Sequence, residues 1–153
     1  EKAASLYEHA RHAKPDDYQS PLLVGQIYDD LGRPEDAKAS RMQGVAIAEE
    51  WLRLHPEDTR ALYMAANGLV ALGDRERGLT WARKARTVAP DEPMVLYNVG
   101  CIEALAGNAA EALDCLEHAV DHGLTQRGWF EHDSNLDSIR ADPRFVGLLA
   151  RLA

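Results

Sequence analysis

The sequence predicts an all-α fold, a solenoid of stacked helix–turn–helix units that ends in a helical cap. Three observations carry that expectation. One short turn is written three times, as LGRPEDA at residues 31–37, LGDRERG at 72–78 and AGNAAEA at 106–112, and its glycines Gly32, Gly73 and Gly107 stand 41 and 34 residues apart. The composition is 46% hydrophobic but only 7% aromatic, with few β-branched residues, which favours helix over strand. No sustained apolar/polar alternation is present. At 153 residues the chain is long enough to bury a continuous core.

The elements follow in order from a common register. With Tyr18, Thr59 and Pro93 as unit starts, Gly25, Ala66 and Gly100 fall at one small-residue position, where paired helices cross closely. Ala37, Gly78 and Ala112 fill the matching position on the second helix. Each turn glycine lets the chain leave the first helix in a left-handed cap, and Pro34, Asp74 and Asn108 start the second. Upstream, Ala3, Tyr7, Ala10 and Pro15 occupy second-helix positions of a unit whose first helix is missing. With Ala82, Ala85, Pro90, Leu116 and Ala119 also in register, residues 1–124 resemble the tetratricopeptide repeat (TPR) family, whose period is about 34 residues. The resemblance implies a right-handed superhelical solenoid in a single domain spanning residues 1–153. It comprises half a repeat at 1–17, full repeats at 18–58, 59–92 and 93–124, and a C-terminal helical cap at 125–153.

The first interval is longer than the period, and the excess lies in a second helix running from about Glu35 through AEEWLRLH to Pro56. Two extra turns add roughly 10 Å and restore the apolar face, so Ile47, Trp51 and Leu54 are expected inward. The projecting helix reads either as a packing embellishment or as a ledge for a partner. After Gly123 the repeat pattern stops. Trp129, Phe130, Leu136, Ile139, Phe145, Val146, Leu148, Leu149 and Leu152 are the apolar positions of a cap over the last repeat, with a final helix from Pro143 to about Leu152. The strings DSNLDSIRADPRFVGLL and LHPEDTRALY resemble TPR arrays of bacterial multidomain signalling proteins. In that group the array follows an adenylate or guanylate cyclase, a Ser/Thr kinase or a transcriptional-activator domain.

Charge and composition narrow the function. A net charge of −8 argues against a nucleic-acid partner. No apolar run reaches the roughly 20 residues of a membrane span. Nothing at the start resembles a signal peptide, and a chain beginning at Glu1 reads as an excised fragment. Two cysteines without a framework suggest a reduced, cytoplasmic setting.

The motifs of common enzymes (GxSxG, a glycine-rich phosphate loop, HExxH) are absent, so no catalysis is expected. His132, Asp133 and Ser134 are triad residue types, but consecutive residues cannot form the relay. Cys115, His118 and His122 share a helix stripe of zinc-favouring ligands, with Asp114 and Asp121 nearby. Three ligands on one straight helix span too far to converge, so the stripe reads as a solvated outer face; His9 and His12 read the same way. Neither metal nor cofactor is expected. Arg75, Arg77, Arg83, Lys84 and Arg86 crowd one helix, as a solvated convex face or, alternatively, a docking patch. Cys101 reads as a small packing residue rather than a reactive thiol.

The TPR resemblance also implies where a partner would sit. In such arrays the second, fifth, ninth and twelfth residues of each first helix face a concave groove. Here these are Gln19, Leu22, Gln26 and Asp29, then Arg60, Tyr63, Asn67 and Val70, then Met94, Tyr97, Cys101 and Ala104, with Asn98 beside them. Asn67 and Asn98 each donate and accept, as peptide backbone requires. Tyr63 and Tyr97 add aromatic contact area with polar tips. Against this stands a reading in which Asn98 satisfies only its own helix. Leu22 and Tyr63 stand where TPR clamps for acidic chaperone tails place lysine, which argues against that specialisation. The expected function is a protein-interaction or scaffolding module, binding a partner peptide or domain in the groove as a regulatory part of a larger bacterial signalling protein. The alternatives are self-association through the exposed N-terminal half-repeat, and a small-ligand sensor controlling an attached catalytic domain.

Overall fold

The computed structural model describes residues 16–152, so the expected half-repeat helix lies almost wholly outside them. Among the described residues all regular structure is helical: α1 (Gln19–Asp30), α2 (Pro34–Leu54), α3 (Thr59–Ala71), α4 (Arg75–Val88), α5 (Pro93–Leu105), α6 (Ala109–Asp121), α7 (Arg127–His132), a 3₁₀ segment (Ser134–Ile139) and α8 (Pro143–Arg151). None is long and apolar enough to cross a membrane. Helices pack in the pairs α1/α2, α3/α4 and α5/α6, and successive pairs stack so that the first helices α1, α3 and α5 adjoin one another. This is the stacked arrangement expected of a helical-repeat solenoid.

Each pair is made by the same turn. At the end of α1 the amide of Gly32 donates to the Asp29 carbonyl at 2.9 Å and that of Arg33 to Tyr28 at 2.8 Å. The same two bonds recur at Gly73/Asp74 and Gly107/Asn108. These paired bonds satisfy the last helix carbonyls and require a left-handed residue, and the glycine φ values are 68°, 91° and 83°. A fourth copy closes α6 at Gly123 (φ 101°) with Leu124; the segment after it lacks the second-helix signature of the other three.

The following helices start as their sequences dictate, with one exception. The carboxylates of Asp58, Asp74, Glu92 and Asp142 accept first-turn amides of α3, α4, α5 and α8, while Pro34 opens α2. Asn108 heads α6 by position but does not cap it with its side chain. Its Nδ2 donates to Oε2 of Glu103 at 2.5 Å, and its Oδ1 accepts from Arg75 at 2.5 Å. Glu103 is a buried carboxylate and needs that donor more than the helix needs a cap.

Within pairs, the small-residue positions are contact points. A Cβ placed on Gly100 would stand 2.8 Å from Leu116 Cγ and 3.2 Å from the Ala112 carbonyl; one on Gly78 would meet Val70 Cγ2 at 2.5 Å. At Gly25 the space is taken by the stem of Arg41, whose guanidinium pairs with Asp29 at 2.5 Å.

The long second helix is present as α2, but its last turns do not bury what the sequence places inward. Burial of its inner face stops at Ala48; Ile47 and Trp51 are only partly covered, and Leu54 is 76% exposed. The added turns run past the end of the pair, so no described neighbour covers Leu54. Trp51 is held instead by its indole N–H, which donates to Oδ2 of Asp58 at 2.8 Å.

The C-terminal segment is a cap, as expected. Phe130, Leu136, Ile139, Phe145 and Leu148 are fully buried in one cluster with Leu96, Leu113, Leu116 and Leu124 of the last pair. Trp129 and Val146, expected in that core, lie outside it at 42% and 56% exposure. Arg144 pins α8 to Asp114 and Glu117 of α6, and Arg151 pairs with Asp121.

Because Gly100 lies against Leu116 and backbone, Gly100→Leu should lower unfolding stability by about 1–3 kcal/mol or more, while Lys84→Ala on the exposed side of α4 should stay within roughly 0.5 kcal/mol. Denaturant midpoints measure both; equal small shifts would contradict the close contact.

Candidate functional site

The first helices α1, α3 and α5 line a concave cleft of about 260 Å³. Eight residues expected in the groove meet there: Leu22 and Gln26 from α1, Tyr63, Asn67 and Arg60 from α3, and Met94, Asn98 and Cys101 from α5. Leu23 and Met64 join them. The helices bring these side chains together because each contributes the same face to the stack. The side-chain amide of Asn67 has no hydrogen-bond partner among the described residues. Asn98 is half committed: its Nδ2 donates to the Met94 carbonyl at 2.7 Å, one turn back, which leaves Oδ1 and one N–H.

Five of the expected groove residues lie elsewhere. Gln19 lines a separate hollow with Tyr18, Trp51 and Asp58 at the end of the array. Asp29 turns to Arg41 of α2, and Val70 packs over Gly78 of α4. These two occupy the last turn of their helices, where the partner helix is nearest, and this draws their side chains into the pair. Tyr97 is buried, its ring 5.2 Å from that of Phe130 and 5.6 Å from that of Trp129. Ala104, on the same face, is covered by the 3₁₀ segment, where Ser138 Oγ donates to its carbonyl at 3.1 Å.

The cap therefore does more than close the core: it enters the groove. Asp133, between α7 and the 3₁₀ segment, places its carboxylate among donors from three parts of the chain. Oδ2 accepts from Tyr97 Oη at 3.0 Å and lies 3.6 Å from Cys101 Sγ. Oδ1 accepts from the backbone and side-chain nitrogens of Asn135 at 3.0 and 2.9 Å and from Gln26 Nε2 at 3.5 Å. Gln26 also reaches Ser134 Oγ at 3.3 Å. The Asp133 carbonyl accepts from Arg140 at 2.8 Å. Burial pushes both the Tyr97 phenol and the Cys101 thiol well above their ordinary pKa values; Cys101 and the Asp133 charge add to the rise at Tyr97, and Asp133 adds to it at Cys101 while the Tyr97 hydrogen bond opposes it. Both groups stay protonated and act as donors.

Asp133 was legible only as one of three consecutive triad-type residues. Its position in the groove depends on how a tail more than a hundred residues from Gln26 folds back, which no local spacing encodes. The remaining candidates also find partners. Cys115 is fully buried rather than part of a solvated stripe; burial raises its thiol to about 11, against the opposing pull of Arg86, whose Nη1 is 3.4 Å away. Arg75 donates to the Ala106 carbonyl at 2.8 Å and to Asn108, and Arg77 pairs with Glu49 and Asp74. The basic run on α4 is thus largely a set of clasps between adjacent helix pairs, with Arg83 and Lys84 left outward.

No protein-family model matches the chain. No curated protein matches it either. Among solved structures, the "MamA RS-1 ArsTM double mutant" is similar at a TM-score of 0.55 and 15% identity, over 99% of this chain and 83% of that one. A second, "Crystal structure of MamA", aligns at 0.49 and 14%, over 97% and 84%. The first likeness concerns fold alone, and it agrees with the stacked pairs in giving an all-α helical-repeat solenoid.

Thiol labelling reads the cap directly. Cys101 lies under Asp133, and a protonated buried thiol reacts slowly. Removing hydrogen bonds to a charged group costs about 1.5–3 kcal/mol, so Asp133→Ala should speed Cys101 modification roughly 10- to 100-fold through local opening. Cys115, beneath α4, should stay slow. Mass mapping after timed labelling distinguishes the two; an unchanged Cys101 rate would mean that Asp133 does not hold the cap in place.

Proposed function

We propose that this chain is a non-enzymatic protein-interaction module that binds an extended polypeptide segment in the concave cleft. One observation supports this most: the groove already accommodates polypeptide. The chain's own segment from Asp133 to Ile139 is seated on α5, and donors from α1 and α5 converge on its carboxylate. The part of the cleft beyond Asp133 presents the same chemistry without an occupant among the described residues. Asn67 and the uncommitted half of Asn98 offer donor–acceptor pairs to a backbone, Arg60 offers a charge, and Tyr63, Met64 and Met94 offer apolar walls. A short partner segment with backbone amides free and small apolar side chains fits that lining.

Within this reading the helix pairs are TPR units at 18–58, 59–92 and 93–124, preceded by a half-unit and followed by the cap. The chain would serve as the regulatory or scaffolding part of a cytoplasmic bacterial signalling protein. A second reading, self-association, draws on an apolar edge of α2 that no described residue covers. There Ala46, Ile47, Trp51 and Leu54 border a hollow of about 580 Å³ beside Asp16. Concentration-dependent mass that Leu54→Glu abolishes would favour it.

The peptide reading is tested by capturing a partner from a bacterial lysate and measuring its affinity for variants. Asn67→Ala should weaken binding by about 0.5–1.5 kcal/mol, or roughly 2- to 10-fold. Asn98→Ala should cost less, because half of that amide already serves its own helix. The double variant should lose more than either, Tyr63→Ala should lose contact area, and Arg83→Ala should change little. Affinity indifferent to both asparagines but lost on altering Arg83 and Lys84 would move the site to the convex face.

A further inference from the structure

Outside the cleft lining, three potential metal ligands, two from the C-terminal end of α6 and one from the loop between α4 and α5, converge. His118 lies in the last turn of α6 and His122 directly follows its end, one turn on, and the loop brings Asp91 to them. The Nε2 atoms of both histidines lie 3.7 Å from the same Asp91 oxygen, Oδ1, and all three ligand atoms are within 4.8 Å of one another. The rings meet edge to face with centroids 4.3 Å apart. The stripe of the sequence therefore does hold two ligands that converge. The third is neither Cys115, which is buried, nor Asp114 or Asp121, which pair with Arg144 and Arg151.

The tautomer of His122 is set by its surroundings. Its Nδ1 lies 2.9 Å from the His118 carbonyl, an acceptor with no proton of its own. Nδ1 must therefore carry the hydrogen, and in the neutral ring the lone pair is at Nε2, facing Asp91. A backbone carbonyl holding the far nitrogen is the usual outer-shell support of a metal-binding histidine. No lysine or arginine among the described residues pairs with Asp91.

We propose that Asp91, His118 and His122 form a divalent transition-metal site of the zinc class. Two imidazoles and a carboxylate are a known ligand set for such ions, with the fourth position left to water. Zinc bonds of about 2.0–2.1 Å at tetrahedral angles hold donors roughly 3.4 Å apart, so the two 3.7 Å edges need only a few tenths of an ångström. The side chains are 36%, 37% and 70% exposed, so they have room to rotate, and the third edge, within 4.8 Å, is the one such rotation must shorten. Because Asp91 lies in the loop between the second and third helix pairs and the histidines at the end of the third, the ion would tie neighbouring pairs together outside the cleft lining.

The test uses the untagged chain, stripped of metal with a chelator, and zinc and cobalt(II) as probes. One equivalent of cobalt should give saturable visible absorption, and zinc should raise the melting temperature and displace cobalt. His118→Ala and His122→Ala should each weaken binding by at least about 10-fold, since even outer-shell losses cost 10- to 100-fold. Asp91→Asn should weaken it similarly. None of the three should change the melting temperature of the metal-free protein, whereas His9→Ala with His12→Ala should leave binding intact. Absence of one-equivalent binding overturns the proposal, as does binding that survives the double histidine variant at the end of α6 or is indifferent to Asp91→Asn.

Discussion

Everything in this solenoid rests on how closely two helices of a pair can approach. At Gly100 and Gly78 there is no room for a Cβ, and at Ala37, Ala82, Ala85 and Ala112 a methyl group is all that the interior holds. Ridges of Leu and Val fill the grooves left by these small residues, which sets the interhelical separation. That separation then determines how far one pair lies from the next, and so where the first helices place their outward side chains. The cleft residues from α1, α3 and α5 form one lining only because every pair repeats the same spacing.

Stacking leaves a problem at each end, since a repeat cannot bury both of its faces. At the C-terminal end the chain solves it with short elements rather than another pair. Two phenylalanines, Phe130 and Phe145, supply the volume, and arginines tether the segment: Arg140 to the Phe130 and Asp133 carbonyls, Arg127 to Leu149, and Arg144 to α6. These elements are too short to persist without the core beneath them. Their packing against α5 carries the 3₁₀ segment onto the concave side, which makes the cap one wall of the cleft.

Features written within one turn of chain were legible in the sequence. The turn glycines, the small sites and the long α2 each follow from spacing and local chemistry, and the structure places them where that chemistry predicts. Features that depend on two distant segments were not. Leu54 has helical periodicity on its side, but periodicity says nothing about whether a neighbour extends far enough to cover it. Asp29 and Val70 sit at groove positions by count, yet near a helix end the partner helix competes for the side chain and wins. Tyr97 reads as an exposed aromatic until the cap lies on it. Asp133 stood out only in a triad-like trio that points to the wrong chemistry, and Asp91 gave no signal, because an aspartate in a loop is ordinary and only the fold supplies its neighbours.

An array of this kind ordinarily folds by near-neighbour contacts, so that its stability is close to a sum over units and its ends fray independently. The bonds from Gln26 to Asp133 and Ser134 join residues 107 and 108 positions apart, linking the first described helix to the tail. They turn an open stack into a loosely closed loop. Closing such a loop costs entropy that only late-forming structure repays, which raises the contact order of an otherwise local topology. Fraying of α1 and release of the tail are then coupled by these two bonds of 3.5 and 3.3 Å, a small link between the ends of an array whose neighbours otherwise meet only in sequence order.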